Sequence, residues 1–163
     1  MKKFKFNVIV TAALVAILFG SCKLENEKSK PNMPTFQDAL NEHLKAIKQR
    51  NIKALEPTVA ENVTVIDPNG IKSDGKKEFL HFHTNWFAQS NWERNDTILT
   101  TSFSDSIGYT LIQYQYIQND TSGNIEFQLH AYQILIFENS HAGWQLIFDQ
   151  NTAIQQLNTK INN

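Results

Sequence analysis

The chain has 163 residues, of which 41% are hydrophobic, and its formal net charge at pH 7 is −1. A chain of this length accommodates one domain with a core of its own. Its basic residues are scattered among a larger number of acidic ones, which argues against nucleic-acid binding. The single cysteine excludes a disulfide within the chain, so the core alone must hold the fold together.

The first 22 residues are organised like a bacterial export signal. Three lysines among the first five residues precede the apolar run VIVTAALVAILF, which is too short to span a bilayer and has the length of a signal-peptide core. Gly20, Ser21 and Cys22 follow, and the stretch LFGSC resembles the lipobox of bacterial lipoproteins, in which the cysteine is lipidated and the chain is cleaved just before it. We therefore predict a signal peptide at residues 1–21 and a lipid on Cys22 that anchors the protein to a membrane of the bacterial cell envelope.

The segments that flank the domain are polar. Residues 22–34 contain the lipidated cysteine and the stretch KLENEKSKPNMP, which has two prolines and alternating charges and is predicted to be a flexible tether. Glu25 and Glu27 either resemble an acidic signal for the cell surface or belong to a solvated linker. Residues 155–163 are predicted to be a polar tail. Removing residues 1–21, which hold three lysines and no acidic residue, changes the formal charge from −1 to −4.

Helices are predicted in the first half of the domain at residues 35–154. Thr35 and Asp38 form a capping-box pattern that opens a helix with apolar residues at helical spacing. A short helix is expected from Ile52 to Val59. The strand VTVID follows and ends in the turn Pro68-Asn69-Gly70, and the sequence KKEFLHFHTNWFAQ predicts another helix.

The second half of the domain is rich in strands. The stretches TILTTSF, IGYTLIQYQYI, IEFQLHAYQILIF and WQLIFD are separated by polar turns. Two or three helices followed by a meander of long antiparallel strands predict an α+β fold in which a curved sheet wraps around the helices.

This order of elements, with DPNG before the third helix, GKKEF at its start and GWQLIFDQNTAI at the end, resembles the nuclear transport factor 2-like superfamily, in its SnoaL-like and ketosteroid-isomerase-like branch. The resemblance covers about Thr35 to Ile154. It implies a cystatin-like α+β roll, in which a cone-shaped, curved antiparallel sheet encloses a pocket with the N-terminal helices, and a homodimer through the outer sheet face. The superfamily includes enzymes, small-molecule carriers and association domains, so the fold does not decide the function.

Periodicity indicates which polar side chains face inward. At 100° per residue, His43 lies within the apolar stripe of the first helix and His83 lies in the middle of that of the third, whereas His81 is on the opposite side. Strand alternation places Leu129 inside and His130 outside. Either inward histidine is a hydrogen-bonded residue of the core or pocket wall, or it is catalytic. The predicted ligand pocket contains His43, Asp67, Phe79, His83, Trp86, Phe87, Tyr109, Leu129 and Gln133.

Asp67 also has two interpretations. Before Pro-Asn-Gly, an aspartate commonly bonds to the backbone of its own turn. The resemblance to ketosteroid isomerase implies instead that Asp67 is a general base and that His43 and Gln133 donate hydrogen bonds to an enolate. The candidate catalytic residues are therefore Asp67, His43 and His83.

Three functions remain open on the sequence alone. The preferred one is binding of a small, largely apolar molecule in the pocket. The second is an isomerase, dehydratase or cyclase that uses Asp67 with His43 or His83. The third is an association module that dimerises or docks on an envelope assembly through an outer face with His130, Tyr132 and Ile134. No metal-ligand spacing, phosphate-binding loop or nucleophile elbow is found, so no metal or cofactor is expected.

Overall fold

A computed structural model describes residues 34–154 of the chain. The predicted signal peptide, the lipidation site at Cys22, the tether up to residue 33 and the tail at residues 155–163 lie outside this range. The described part contains three helices and six strands, which are α1 (Phe36–Lys48), α2 (Ile52–Leu55), α3 (Lys76–Ala88), β1 (Val59–Ile66), β2 (Lys72–Asp74), β3 (Trp92–Phe103), β4 (Ile107–Asn119), β5 (Ile125–Ser140) and β6 (Gly143–Ala153). Within this range no helix has both the length and the apolar character needed to cross a bilayer.

The predicted capping box opens α1. The Thr35 hydroxyl accepts a hydrogen bond from the Asp38 amide at 3.2 Å, and the Asp38 carboxylate accepts one from the Thr35 amide at 2.8 Å. These bonds satisfy two amides that have no partner within the helix. The apolar stripe of α1 is buried, and His43 lies within it, which confirms the predicted orientation of this helix.

The second helix is shorter than predicted. It ends at Leu55, and a 3-10 turn over Glu56–Thr58 leads directly into β1 at Val59. Pro57 explains the early end, because proline has no amide hydrogen to continue the α-helical ladder. The expectation of a helix up to Val59 was therefore wrong, and β1 begins four residues before the predicted VTVID strand.

The six strands form one curved sheet in the order β2-β1-β6-β5-β4-β3, and the α+β fold class is confirmed. The sheet is mixed rather than wholly antiparallel, because β1 and β6 run parallel while the other neighbours are antiparallel. This parallel pair joins the helical half of the chain to its last strand. The short strand β2 was not predicted from the sequence.

A β-bulge in β6 changes which side chains face inward. Leu146 pairs with Phe137 and Phe148 pairs with Ile136, so Ile147 is an extra residue without a partner on β5. A bulge shifts the alternation of side chains by one position. Leu146 is therefore inward before the bulge, and Asp149 is inward after it.

The hydrophobic core fills the space between α1 and the inward face of the sheet. Phe36 is 1% exposed, and its ring packs against those of Phe103, Phe137 and Trp144 at centroid distances of 5.4, 5.8 and 5.4 Å. Gly108 on β4 lies directly beneath this ring, where a Cβ atom would collide with it. Close packing of this kind fixes α1 on the sheet.

Candidate functional site

A cavity of about 640 Å³ lies between α1, α3 and the inward face of the sheet. Its apolar wall comes from both helices and from three strands, β1, β4 and β5. The half-buried or buried apolar residues of this wall are Leu44, Ile47, Val65, Phe79, Trp86, Tyr114, Tyr116, Leu129 and Leu135. Ile71 and Phe82 also line it but are 66% and 62% exposed, so they mark its mouth.

His43 reaches the cavity from α1 in one defined tautomer. The Thr58 hydroxyl donates its only hydrogen to the Leu55 carbonyl at 2.7 Å, so toward His43 it acts as an acceptor. His43 Nδ1, 2.8 Å from that hydroxyl, must therefore carry the ring proton. Burial lowers the pKa of His43 from 6.5 to about 3, and the positive charge that His83 carries when protonated and that of Arg94 act in the same direction. The ring is neutral at pH 7, and its Nε2 is an acceptor.

His83 reaches the same cavity from α3 in the same tautomer. Its Nδ1 lies 2.8 Å from the Phe79 carbonyl, which can only accept, so Nδ1 carries the proton. The ring stacks on Phe79 at a centroid distance of 4.0 Å. Burial lowers the pKa of His83 to about 4, although the bond to Phe79 opposes the shift. His83 therefore also presents a neutral ring with Nε2 unprotonated.

A chain of hydrogen-bonded polar side chains crosses the sheet wall of the cavity. Arg94 forms an ion pair with Asp96 at 2.7 Å and donates to the Gln133 carbonyl oxygen. Gln133 donates in turn to Asp149 Oδ1 at 2.8 Å, and Asn151 donates to the same oxygen at 3.0 Å. Each of these side chains forms hydrogen bonds to its neighbours, so the polar side chains are ordered before any ligand binds.

Asp149 is the most perturbed carboxyl group of the cavity. It is 5% exposed, and burial raises its pKa from 3.8 to about 6, while Gln133, Arg94 and Asn151 oppose the shift. Both of its hydrogen bonds go to Oδ1, which leaves Oδ2 as the oxygen available to a ligand. Beside it, burial raises the pKa of the Tyr114 phenol to about 12, so that group stays protonated at neutral pH.

Asp67 makes the turn predicted for it and also lines the cavity. Its Oδ1 accepts from the amides of Asn69 and Ile71, each at 2.8 Å, which is the local turn geometry expected for aspartate. Its side chain also lies in the cavity wall, between β1 and the mouth. The turn therefore fixes the carboxylate of a residue that lines the cavity.

Most of the predicted pocket residues lie together in this wall. They are His43, Asp67, Phe79, His83, Trp86, Leu129 and Gln133. Phe87 and Tyr109 do not line the cavity. Phe87 packs behind His83 at a centroid distance of 5.6 Å, and Tyr109 is 43% exposed because the alternation of β4 turns Gly108 and Thr110 inward instead.

Two residues that shape the cavity were missing from the predicted site. Arg94 lies in the polar stretch NWERND, ahead of the point where the strand was expected to start. Strand alternation from the buried Trp92 would have placed it inward. Asp149 is the last residue of the predicted strand WQLIFD, but its inward orientation depends on the bulge at Ile147.

The donor set that the resemblance implied for an enolate is partly in use. His43 donates to Thr58, and Gln133 donates one of its two amide hydrogens to Asp149 and accepts from Arg94. A neutral His43 has no second ring proton to offer. Within residues 34–154 there is also no group of three metal-ligating side chains suited to a metal ion.

The sequence matches no protein-family model, and it matches none of the curated proteins. Solved structures are more informative. A ketosteroid isomerase-like protein from Erwinia carotovora atroseptica is 15% identical and superposes with a TM-score of 0.60 over 74% of this chain and 94% of its own. A candidate dehydratase of the nuclear transport factor 2-like family from Streptomyces avermitilis is 14% identical, with a TM-score of 0.59 over 72% of this chain and 92% of its own.

Residues 34–154 have the nuclear transport factor 2-like fold. A third structure with this fold, a candidate association domain of calcium/calmodulin-dependent protein kinase type II from Thiobacillus denitrificans, is 12% identical, with a TM-score of 0.61 over 77% of this chain and 100% of its own. The predicted fold is thus confirmed. At these identities the nuclear transport factor 2-like fold does not determine the function. The function must instead be inferred from the side chains of the cavity.

Proposed function

We propose that this protein binds a small, largely apolar molecule in the cavity between its helices and its sheet. The observation that supports the proposal is the cavity itself, because about 640 Å³ lies within the range of small-molecule sites. Its wall is mainly aromatic and aliphatic, with a few ordered polar groups. That combination is typical of sites where apolar contact supplies affinity and polar groups set orientation.

Filling the cavity tests this proposal. The neutral fluorescent probe N-phenyl-1-naphthylamine should bind the full chain with one site per domain. Leu129→Trp, which adds bulk to the cavity wall, should abolish binding, whereas Leu99→Trp at a position 47% exposed should leave it unchanged. Native mass spectrometry of the purified full chain should also detect a co-purifying small molecule. Equal probe binding by both variants would refute the cavity as the binding site.

We further propose that the binding domain is carried on a lipid anchor in the bacterial cell envelope. The order of basic residues, apolar run, small residues and Cys22 supports this proposal. Labelled palmitate should be incorporated into the wild-type chain in its host and not into Cys22→Ser. The variant should also move from the membrane fraction to the soluble fraction, and labelling of Cys22→Ser would contradict the proposal.

An acid-base enzyme is the second candidate, because Asp149 is a buried carboxyl group with a pKa near neutrality and an oxygen facing a ligand cavity. Asp67 with His43 or His83 would complete an isomerase, dehydratase or cyclase site. Structures named as ketosteroid isomerase-like and as a candidate dehydratase share the fold, so the fold is compatible with this class of chemistry. Exchange of the α-protons of 2-tetralone in D₂O, followed by NMR, should be accelerated by the wild type and not by Asp149→Asn. The exposed Asp105→Asn is the control.

Self-association through the outer sheet face is a further proposal. Tyr109, Tyr132 and Ile134 are 43%, 40% and 37% exposed there, which is unusual for large apolar groups on neighbouring strands. A structure named as a candidate association domain has the same fold, so the fold is compatible with an oligomer. Light scattering of the full chain should give a dimer, and Ile134→Lys a monomer. Ile125→Lys, at the exposed start of β5, should stay dimeric.

A further inference from the structure

The two inward histidines leave the same ring atom unengaged. His43 and His83 both use Nδ1 as a donor to the protein, and neither Nε2 has a partner among residues 34–154. Every fully buried side-chain nitrogen or oxygen in this range has a hydrogen-bond partner. Since neither Nε2 has a partner in this range, neither is fully enclosed by protein. Both rings line the cavity, so their Nε2 atoms are open to its contents. The helix wall of the cavity thus offers two hydrogen-bond acceptors set in aromatic surroundings.

We infer that His43 and His83 form an acceptor pair for a neutral, otherwise apolar ligand that carries a hydroxyl group, an alcohol or a phenol, whose one hydrogen is donated to one of the two Nε2 atoms. This inference rests on the proposed binding function and names the chemical class of the ligand. An acceptor in an apolar wall favours a ligand that brings a donor, because a ligand without one leaves the ring nitrogen unpaired after water is displaced. The aromatic rings around both histidines hold the rest of the molecule.

Anionic ligands are disfavoured by the charges of the wall. The ionisable lining residues other than histidine and tyrosine are Arg94, Asp67, Glu78 and Asp149. The one cation among them, Arg94, is paired with Asp96 and bonded to Gln133. A carboxylate or phosphate ligand would therefore lie close to more negative than positive charge.

Cationic ligands are disfavoured at the histidine pair for a different reason. The positive charge of Arg94 acts on both rings and contributes to the lowered pKa of each. An ammonium group beside the rings would experience the same repulsion, and burial would add a desolvation cost. A neutral hydroxyl group avoids both penalties.

The sheet wall differs from the helix wall because its polar groups mainly bond to each other. Arg94, Gln133, Asp149 and Asn151 form a continuous chain. The groups that it leaves open include Asp149 Oδ2, another acceptor when ionised, and the Tyr114 phenol. These polar side chains can bond to a second polar group of the ligand. At the histidine pair, by contrast, the wall presents two hydrogen-bond acceptors that no donor among residues 34–154 occupies.

Three probes of one shape test the inference by calorimetry on the full chain at pH 7.5. They are 2-naphthol, which has a hydroxyl group, 2-methoxynaphthalene, which has none, and the anion 2-naphthoate. We expect 2-naphthol to bind about ten-fold more tightly than 2-methoxynaphthalene, the effect of one additional net hydrogen bond. We expect 2-naphthoate to bind more weakly than 2-naphthol.

His83→Phe keeps the ring and removes the acceptor. Because His83 Nδ1 bonds only to a carbonyl of its own helix, this variant leaves no buried donor unpaired. It should reduce the preference for 2-naphthol over 2-methoxynaphthalene about two-fold or more, because the hydroxyl group then has only His43 as an acceptor, and it should not weaken the binding of 2-methoxynaphthalene. His141→Phe, in the exposed β5–β6 turn, should retain the full preference.

Nitrogen-15 NMR of the unmodified protein gives a measurement that does not depend on variants. Both rings should show a protonated Nδ1 and an unprotonated Nε2, and 2-naphthol should shift the Nε2 signals. If the naphthalene probes bind but the hydroxyl group brings no preference, or if Nε2 carries the proton, the acceptor pair is refuted while the binding cavity stands. Binding of none of the probes would overturn both the proposed function and the ligand class.

Discussion

Lowering the pH from 7.5 to 5.0 should destabilise this domain through the two buried histidines. In the unfolded chain a histidine with a pKa of 6.5 takes up a proton over this interval, while the folded pKa values of about 3 and about 4 keep His43 and His83 neutral. The unfolded state thus binds more protons, and stability falls as the pH falls below 6.5. Each histidine should contribute a loss of about 2 kcal/mol, or about 4 kcal/mol for the pair.

Asp149 acts in the opposite direction. Its folded pKa of about 6 lies above the unfolded value of 3.8, so the folded state binds the extra proton between these pH values. This protonation should stabilise the folded state by about 1.4 kcal/mol at pH 5.0 relative to pH 7.5. The net loss is then about 2.5 kcal/mol, a large part of the stability of a domain of this size.

Urea unfolding of the full chain at the two pH values, followed by tryptophan fluorescence, measures this difference. Trp92 is buried and should report the transition. His83→Phe should remove about 2 kcal/mol of the loss, whereas the exposed His141→Phe should remove none. Equal or greater stability of the wild type at pH 5.0 would refute the assignment of two neutral, buried histidines.

Three further predictions concern the fold. Leu146→Ala removes a fully buried side chain and should cost about 2–5 kcal/mol in urea unfolding, whereas Leu99→Ala, 47% exposed, should cost less than about 0.5 kcal/mol; similar costs would contradict the assigned core. Gly108→Ala puts a Cβ atom into the Phe36 ring and should lower the free energy of unfolding by about 1–3 kcal/mol, with the exposed Ser106→Ala as the neutral control. Thr35→Ala removes the cap of α1 and should cost about 1 kcal/mol, and Thr35→Ser should restore most of it; no loss in the alanine variant would show that the cap is dispensable.

Local patterns were sufficient where a side chain's direction depends on its own helix. His43 and His83 were expected inside because each lies within the apolar stripe of an amphipathic helix, and both are buried. Their chemical state could not be predicted in the same way. His43 owes its tautomer to Thr58, 15 residues away along the chain, and that pairing exists only after α1 packs against the turn before β1.

The sheet was harder to predict because alternation fails wherever a strand contains an extra residue. Counting from the inward Leu146 without a bulge turns Phe148 inward and Asp149 outward, the reverse of what the bulge at Ile147 produces. The parallel pairing of β1 with β6 was likewise invisible to a local pattern. The strand order of a sheet depends on contacts between residues far apart in sequence.

That parallel pairing also sets when the domain can fold. The Gln145 side chain bonds to the Val59 carbonyl across 86 residues, and β1 has only the three-residue strand β2 as a partner until β6 arrives. Contacts this distant in sequence form late and slow folding. During synthesis β1 can therefore complete its pairing only after β6, the last strand of the sheet, has been made.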